Sequence, residues 1–197
     1  GFCLSWGGFI IRSFEEATVW QILLLRSVFF MIALMIFLIV TYKKNTIKII
    51  KDAGSPAVLG GFVMSLSFIA FVVSMSITTV ANVVFIISTQ TMFLAIFGYF
   101  YLKEKISLTS FFSILLAMGG ITIMVGDSLS TGSLLGNIVA LAIPINFSIL
   151  VMIIRKKKNL DMVPAIFYSG IFSIFYGLIL SESFVFTNHD ILMGFFL

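Results

Sequence analysis

Six stretches of this chain stay apolar for about the length a helix needs to cross a hydrocarbon layer: Val19 to Tyr42, Ala57 to Ile77, Val83 to Leu102, Leu108 to Val125, Leu134 to Ile154 and Met162 to Leu180. At ~1.5 Å rise per residue, a core of roughly 30 Å takes about 20 helical residues. Two shorter runs, Gly1 to Ile11 and one beginning at Ile191, abut the chain ends and are expected to be parts of further crossings, as in a fragment of a longer protein. Composition agrees. Apolar residues make up 60% of the chain and charged residues 10%, with a mean hydropathy of +1.20. A soluble domain carries about 25% charge, so a soluble core is excluded.

The charges that remain are ordered. Lys43, Lys44, Lys48 and Lys51 fill one gap, Lys103 and Lys105 a second, and Arg155, Lys156, Lys157 and Lys158 a third; these hold ten of the twelve basic residues. The alternate gaps hold Glu15 and Glu16, then uncharged residues, then Asp127, then Glu182 and Asp190 beside the single His189. None of those contains a lysine. The positive-inside rule puts the basic loops (43–51, 103–105 and 155–158) in the cytoplasm and makes the protein multi-pass. Short basic clusters at helix ends report topology, and nucleic acid is not an expected partner. The single Cys3 allows neither an internal disulfide nor a metal site.

Internal similarity suggests how the spans are organised. Ser5 to Ser27 reads SWGGFIIRSFEEATVWQILLLRS and Ser148 to Ser169 reads SILVMIIRKKKNLDMVPAIFYS, with the IIR triplets aligned. The first copy is followed by Glu15 and Glu16, the second by Lys156 to Lys158. The two copies therefore point in opposite directions, which suggests inverted repeats and a substrate site near the midplane where they meet. Small residues recur at four-residue spacing as Ala70, Ser74 and Thr78; Ser113 and Ala117; Gly136 and Ala140; and Ser169, Ser173 and Gly177. Such stripes let helix backbones approach closely in lipid, as ordinary packing or as a sliding surface.

The segment Ala81 to Ile106, ANVVFIISTQTMFLAIFGYFYLKEKI, resembles the fourth helix of the EamA-type drug/metabolite transporter superfamily. Ser88 matches its central Ser, and Leu102, Glu104 and Lys105 match its ending. Leu25, Arg26 and Ser27 resemble the second-helix arginine, and Gly119 and Gly120 the small pair of the fifth. Thr91 stands where the family usually has Pro, and Lys103 replaces the Gly before Glu104. The resemblance implies an all-α polytopic membrane protein of two inverted five-helix repeats, the first spanning 1–126 and the second beginning over 133–197. It also implies alternating-access movement of small metabolites such as amino acids, usually outward, with no cofactor and no enzymatic activity.

Candidate substrate residues follow from polarity inside the spans. Arg26 is the only ionisable residue well inside a complete span. A charge there is costly and suggests a site. The ordinary reading has Arg26 snorkelling to the outer headgroups or pairing with Glu15 or Glu16; the functional one has its guanidinium fork gripping a substrate carboxylate. Ser88, Thr89, Gln90 and Thr91 form a polar block near mid-span, in which Gln90 is the first choice for a substrate contact and an interhelical hydrogen bond the alternative. Pro144 frees the carbonyl of Ala140 two residues before Asn146, giving a binding wall or hinge, or else a kink that neighbours tolerate. Trp6, Tyr168 and Tyr176 line a cavity or form interfacial belts. Glu104 and Lys105 form an inner gate or a solvated pair. Asn82 is read as a helix cap, His189 with Asp190 as a solvated turn, and Pro56 and Pro164 as helix-start prolines.

No phosphate-binding GxxxxGK[ST] loop is present, and no Asp or Glu lies inside a complete span. The sequence therefore favours a secondary transporter with a small-molecule substrate and the lipid bilayer as partners, in a bacterial inner (plasma) membrane. Oligomeric state stays open, a homodimer included. The alternatives are an intramembrane lipid-modifying enzyme, and a scaffold or receptor without transport.

Overall fold

The computed structural model describes residues 7–11, 13–14, 17–103, 107–131, 133–156, 163–181, 184 and 186–196. All regular structure among them is helical. After a helical stretch at 7–11 come α1 (Val19–Tyr42), α2 (Thr46–Asp52), α3 (Gly54–Ile77), α4 (Val80–Ser88), α5 (Gln90–Leu102), α6 (Leu108–Thr131), α7 (Leu134–Lys156), α8 (Val163–Leu180) and α9 (Asn188–Phe196). Five spans are long and apolar enough to cross a membrane: α1, α3, α4 with α5, α7 and α8. The sixth expected span, α6, is helical for 24 residues and contains the apolar stretch Phe111–Gly120.

Local chemistry sets these boundaries. Thr18 and Gln21 close a reciprocal capping box at the start of α1, with the Thr18 amide donating to Gln21 Oε1 at 2.7 Å. This satisfies donors that lipid would leave orphaned. Thr79 caps α4 by accepting from the Asn82 amide, so the expected cap is displaced by three residues. The Asn82 side chain instead bonds across to α7. The basic gap after α1 holds α2, a short helix that polarity alone reads as a loop.

The central element is α3, which packs along α7 on one side and α8 on the other. Further contacts join α1 to α8, α4 and α5 to α7, and α9 to α1. Small residues make the approach possible. A Cβ on Gly61 would stand 2.5 Å from Tyr168 Cβ, 2.8 Å from the Ala165 carbonyl oxygen and 2.9 Å from the Ser169 amide. A Cβ on Gly136 would meet Thr78 Cβ at 2.6 Å, so two of the small-residue stripes seen in the sequence lie against each other. Lipid gives apolar side chains no reason to leave it, and close backbone contact must supply the cohesion instead.

Two ends can be distinguished. At one, the Tyr168 hydroxyl donates to the Ile50 carbonyl at 3.4 Å and Lys156 Nζ donates to the Tyr101 hydroxyl at 3.4 Å, which gathers the basic gaps together. At the other, Asn137, only 1% exposed, accepts from the Thr78 hydroxyl at 2.8 Å and from Asn82 Nδ2 at 3.3 Å. This joins α3, α4 and α7 at the end without lysines.

The span read as Val83 to Leu102 is interrupted at Thr89 (φ −75°, ψ 0°), and the break needs no proline. The Ser88 hydroxyl donates to the Phe85 carbonyl at 2.6 Å and the Thr89 hydroxyl to the Ile86 carbonyl at 2.6 Å. The Thr89 amide takes the same Ile86 carbonyl at 3.1 Å, tightening the turn. Hydroxyl back-bonding of this kind bends helices. By contrast α7 runs as one helix through the buried Pro144.

Lys103 ends α5 in the left-handed conformation (φ 55°, ψ 31°), its amide bonded to the Gly98 carbonyl. This is the C-cap geometry that favours glycine. Lys103→Gly is therefore expected to raise stability in a denaturant titration by about 1 kcal/mol, the usual left-handed cost of a side chain. Gly61→Ala is expected to lower it by about 1–3 kcal/mol, because the obstructing atoms are backbone and the helices must move apart. Gly119→Ala, with open space around it, serves as the neutral control.

Candidate substrate-binding site

Arg26 turns into the bundle. Its guanidinium carbon lies 4.8 Å from the Phe68 ring centroid and 5.0 Å from that of Phe71, both on α3. Among the described residues, Arg26 Nη1 is buried without a hydrogen-bond partner. Inserting a cation at mid-helix costs about 2.5–3.5 kcal/mol on translocon scales. A desolvated cation–π contact returns up to about 2 kcal/mol. The rings therefore hold the charge without consuming its donors.

Two further buried polar atoms lie on the helices packed against α1. Ser67 Oγ on α3 and Ser173 Oγ on α8 are also buried without a partner among the described residues. Ser67 directly precedes Phe68. Ser173 lies on the α8 face that packs on α1: a Cβ on Gly170 would meet Met31 and one on Gly177 would meet Leu24, which brackets Arg26. Arg26 and Ser173 each stand seven residues, about 10 Å, inside the lysine-free ends of their helices. Three groups able to donate are thus buried on α1, α3 and α8, helices that pack against one another. An acceptor-rich ligand would complete them.

The break at Thr89 borders a second feature. A cavity of about 580 Å³ lies between α4, α5 and α6, lined by the hydroxyls of Ser88, Thr89, Thr91, Thr109 and Ser113 and by apolar Phe85, Met92 and Ile114. Irregular backbone at membrane depth is tolerated where it lines a cavity or is buried in protein. The Ser88, Thr89 and Ser113 protons are bound to backbone carbonyls, so these oxygens face the cavity's contents mainly as acceptors.

Among known families, the EamA-like transporter family matches residues 1–126. The chain belongs to this family. It is therefore a multi-pass membrane transporter of small solutes. No curated protein and no solved structure matches it significantly.

The transporter distributes the residues singled out in the sequence over several places. Arg26 is at the α1–α3–α8 junction. Gln90 is half-buried at the start of α5 and is not among the residues lining the hydroxyl cavity, which its neighbours Ser88, Thr89 and Thr91 supply. Asn146 is half-buried on α7, two residues past Pro144. Tyr168 packs at the basic end against the cluster of Ala53, Ala57, Leu150 and Ala165. Trp6, Glu104 and Lys105 lie outside the described residues. Asp190, expected in a solvated turn, is instead 1% exposed in the first turn of α9. The helix begins three residues before the apolar run: Thr187 Oγ1 accepts from the Asp190 amide at 3.1 Å, and a helix N-terminus favours an acidic side chain.

Sequence reasoning missed Phe68 and Phe71 as the rings against Arg26, and Ser67 as a buried hydroxyl. Ser173 was visible only as one member of a small-residue stripe.

With Cys3→Ser as background, Ser88→Cys and Ser113→Cys are expected to react readily with a water-soluble thiol reagent in membranes. Ile36→Cys, on the lipid-facing side of α1 at 59% exposure, is expected to stay unmodified. Equal protection of all three would mean the cavity holds lipid rather than water.

Proposed function

We propose that this transporter carries small carboxylate-bearing solutes, amino-acid-like zwitterions included, by alternating access and in the outward direction. The observation that carries the reading is the buried Arg26 guanidinium with Nη1 unpartnered among the described residues, with the buried, unpartnered hydroxyls of Ser67 and Ser173 on the adjoining helices. A guanidinium presents a fork that fits a carboxylate at two points, and each charge-assisted bond strengthens where water is excluded. In the conformation at hand Nη1 is covered. A solute would reach it once α1 parts from α3 or α8, and would be released when the packing re-forms.

The wider arrangement supports this proposal. The groups that meet come from both sides of residue 132: α1 and α3 from the stretch proposed as the first repeat, 1–126, and α8 from the stretch proposed as the second, beginning at 133. Sites between inverted repeats are the usual design of secondary transporters. The face bearing Lys48, Lys51, Lys103 and Lys156 is taken as cytoplasmic by the positive-inside rule, in a bacterial inner membrane. Gln90, Asn146 and Pro144 belong to the proposal as residues of the moving walls, and Glu104 with Lys105 as an inner gate.

The test is counterflow in liposomes holding the full-length protein. Arg26→Lys keeps the charge and loses the fork, and is expected to slow exchange of labelled carboxylate solutes roughly ten- to a hundredfold, the equivalent of about 1.5–3 kcal/mol for a charged hydrogen bond. Membrane abundance should be preserved. An equal slowing for an uncharged solute, or no slowing at all, would overturn the carboxylate assignment.

A further inference from the structure

A separate feature lies at the basic end. A groove of about 430 Å³ runs between α3, α5 and α7, its wall apolar through Pro56, Leu59, Phe97, Ile149, Met152 and Ile153. Its remaining two lining residues are Tyr101, in the last turn of α5, and Lys156, the last residue of α7. Lys156 Nζ stands 5.2 Å from the Tyr101 ring centroid and donates to the Tyr101 hydroxyl at 3.4 Å, which holds the ammonium at the groove mouth. Both side chains are exposed, so the remaining ammonium protons face outward.

A second cation stands at the same end. Lys103 follows Tyr101 by two residues and is exposed, in a left-handed conformation where glycine would be unstrained. The result is an apolar groove with Lys156 and the Tyr101 phenol at its mouth and a second lysine two residues further along the chain. A cation at the mouth of an apolar groove suits a ligand with an apolar tail and an anionic head.

We propose that this groove binds an anionic phospholipid of the leaflet on the basic face, with an acyl chain along Leu59, Phe97 and Ile153 and the phosphate at Lys156, Lys103 and the Tyr101 hydroxyl. Basic pockets between membrane helices on the cytoplasmic side suit such headgroups, each nearby cation strengthening the attraction about fivefold. Pro56 and Leu59 near the start of α3 and Phe97 with Tyr101 on α5 would then be bridged by the lipid, tying the broken span to the central helix. The proposal is independent of the Arg26 reading, because it concerns the opposite end of the bundle.

Native mass spectrometry of the full-length protein in detergent, titrated with phosphatidylglycerol or with phosphatidylcholine of the same chains, tests it. Phosphatidylglycerol is expected to be retained preferentially. Lys156→Gln and Lys103→Gly should each reduce that preference about fivefold, while Lys48→Gln, an exposed lysine on α2, should leave it unchanged. Lys103→Gly is the informative variant, since it is expected to fold more stably and yet lose lipid. Ile153→Trp should fill the slot and lower retention of both lipids. Equal retention of the two lipids, a preference that survives Lys156→Gln and Lys103→Gly, or displacement by glycerol phosphate alone would overturn the proposal. Occupation of the groove by another segment of the full-length chain would show itself as no lipid retention in any variant, and would overturn it equally.

Discussion

Close backbone approach around α3 is the constraint on which the rest of this structure depends. A hydrocarbon solvent offers apolar side chains nothing for packing against one another, so cohesion must come from contacts that only small residues allow. Gly61 against Ala165 and Ser169, and Gly136 against Thr78, bring α8 and α7 onto opposite faces of α3. With those faces fixed, α1 lies against α8 and directs Arg26 toward Phe68 and Phe71. The same closeness leaves Ser67 and Ser173 dry and without partners. The proposed solute site is thus a by-product of tight packing.

Much of the architecture was legible because lipid makes hydropathy and charge nearly sufficient. The start of α1 at Val19, the ends of α3 at Ile77, α5 at Leu102 and α8 at Leu180, and the gathering of lysines at one end all follow from where apolar runs stop. What escaped was set by single hydrogen bonds. Ser88 and Thr89 read as a polar block, but only their back-bonding to Phe85 and Ile86 turns that block into a break. Thr91 stands where the family usually has Pro, and the hydroxyls of Ser88 and Thr89 supply the bend instead. Asn82 reads as a cap because it opens an apolar run. Thr79 takes that role and frees the amide of Asn82 to reach α7. Lys103 in place of the family's Gly was noticed as a departure, and the left-handed backbone there gives the family pattern its physical reason.

The candidate site was legible in one residue. Arg26 stood out because a charge inside a span has few explanations, whereas its surroundings did not, since phenylalanines and serines are common on any membrane helix. Chain 1–197 carries 23 Phe, so nothing in composition marks Phe68 or Phe71. Polar size was a poor guide as well. Gln90 drew attention as the largest group in its block, while the cavity beside it is lined by the smaller hydroxyls that share its turn. Which polar residues meet depends on helix rotation and register, and a period of 3.6 residues leaves both undetermined until the neighbouring helices are known.

The central position of α3 also bears on how the protein is made. Ribosomes finish α3 about one hundred residues before they finish α8, the helix that covers one of its sides. At roughly 5–20 residues per second, α3 spends about 5–20 seconds in the bilayer with its glycine and serine surface unclaimed. Lipid covers that surface through the delay. An insertion chaperone that clasps slender, small-residue helices would find its client here, and a slowed ribosome between Ile77 and Leu180 would lengthen the wait.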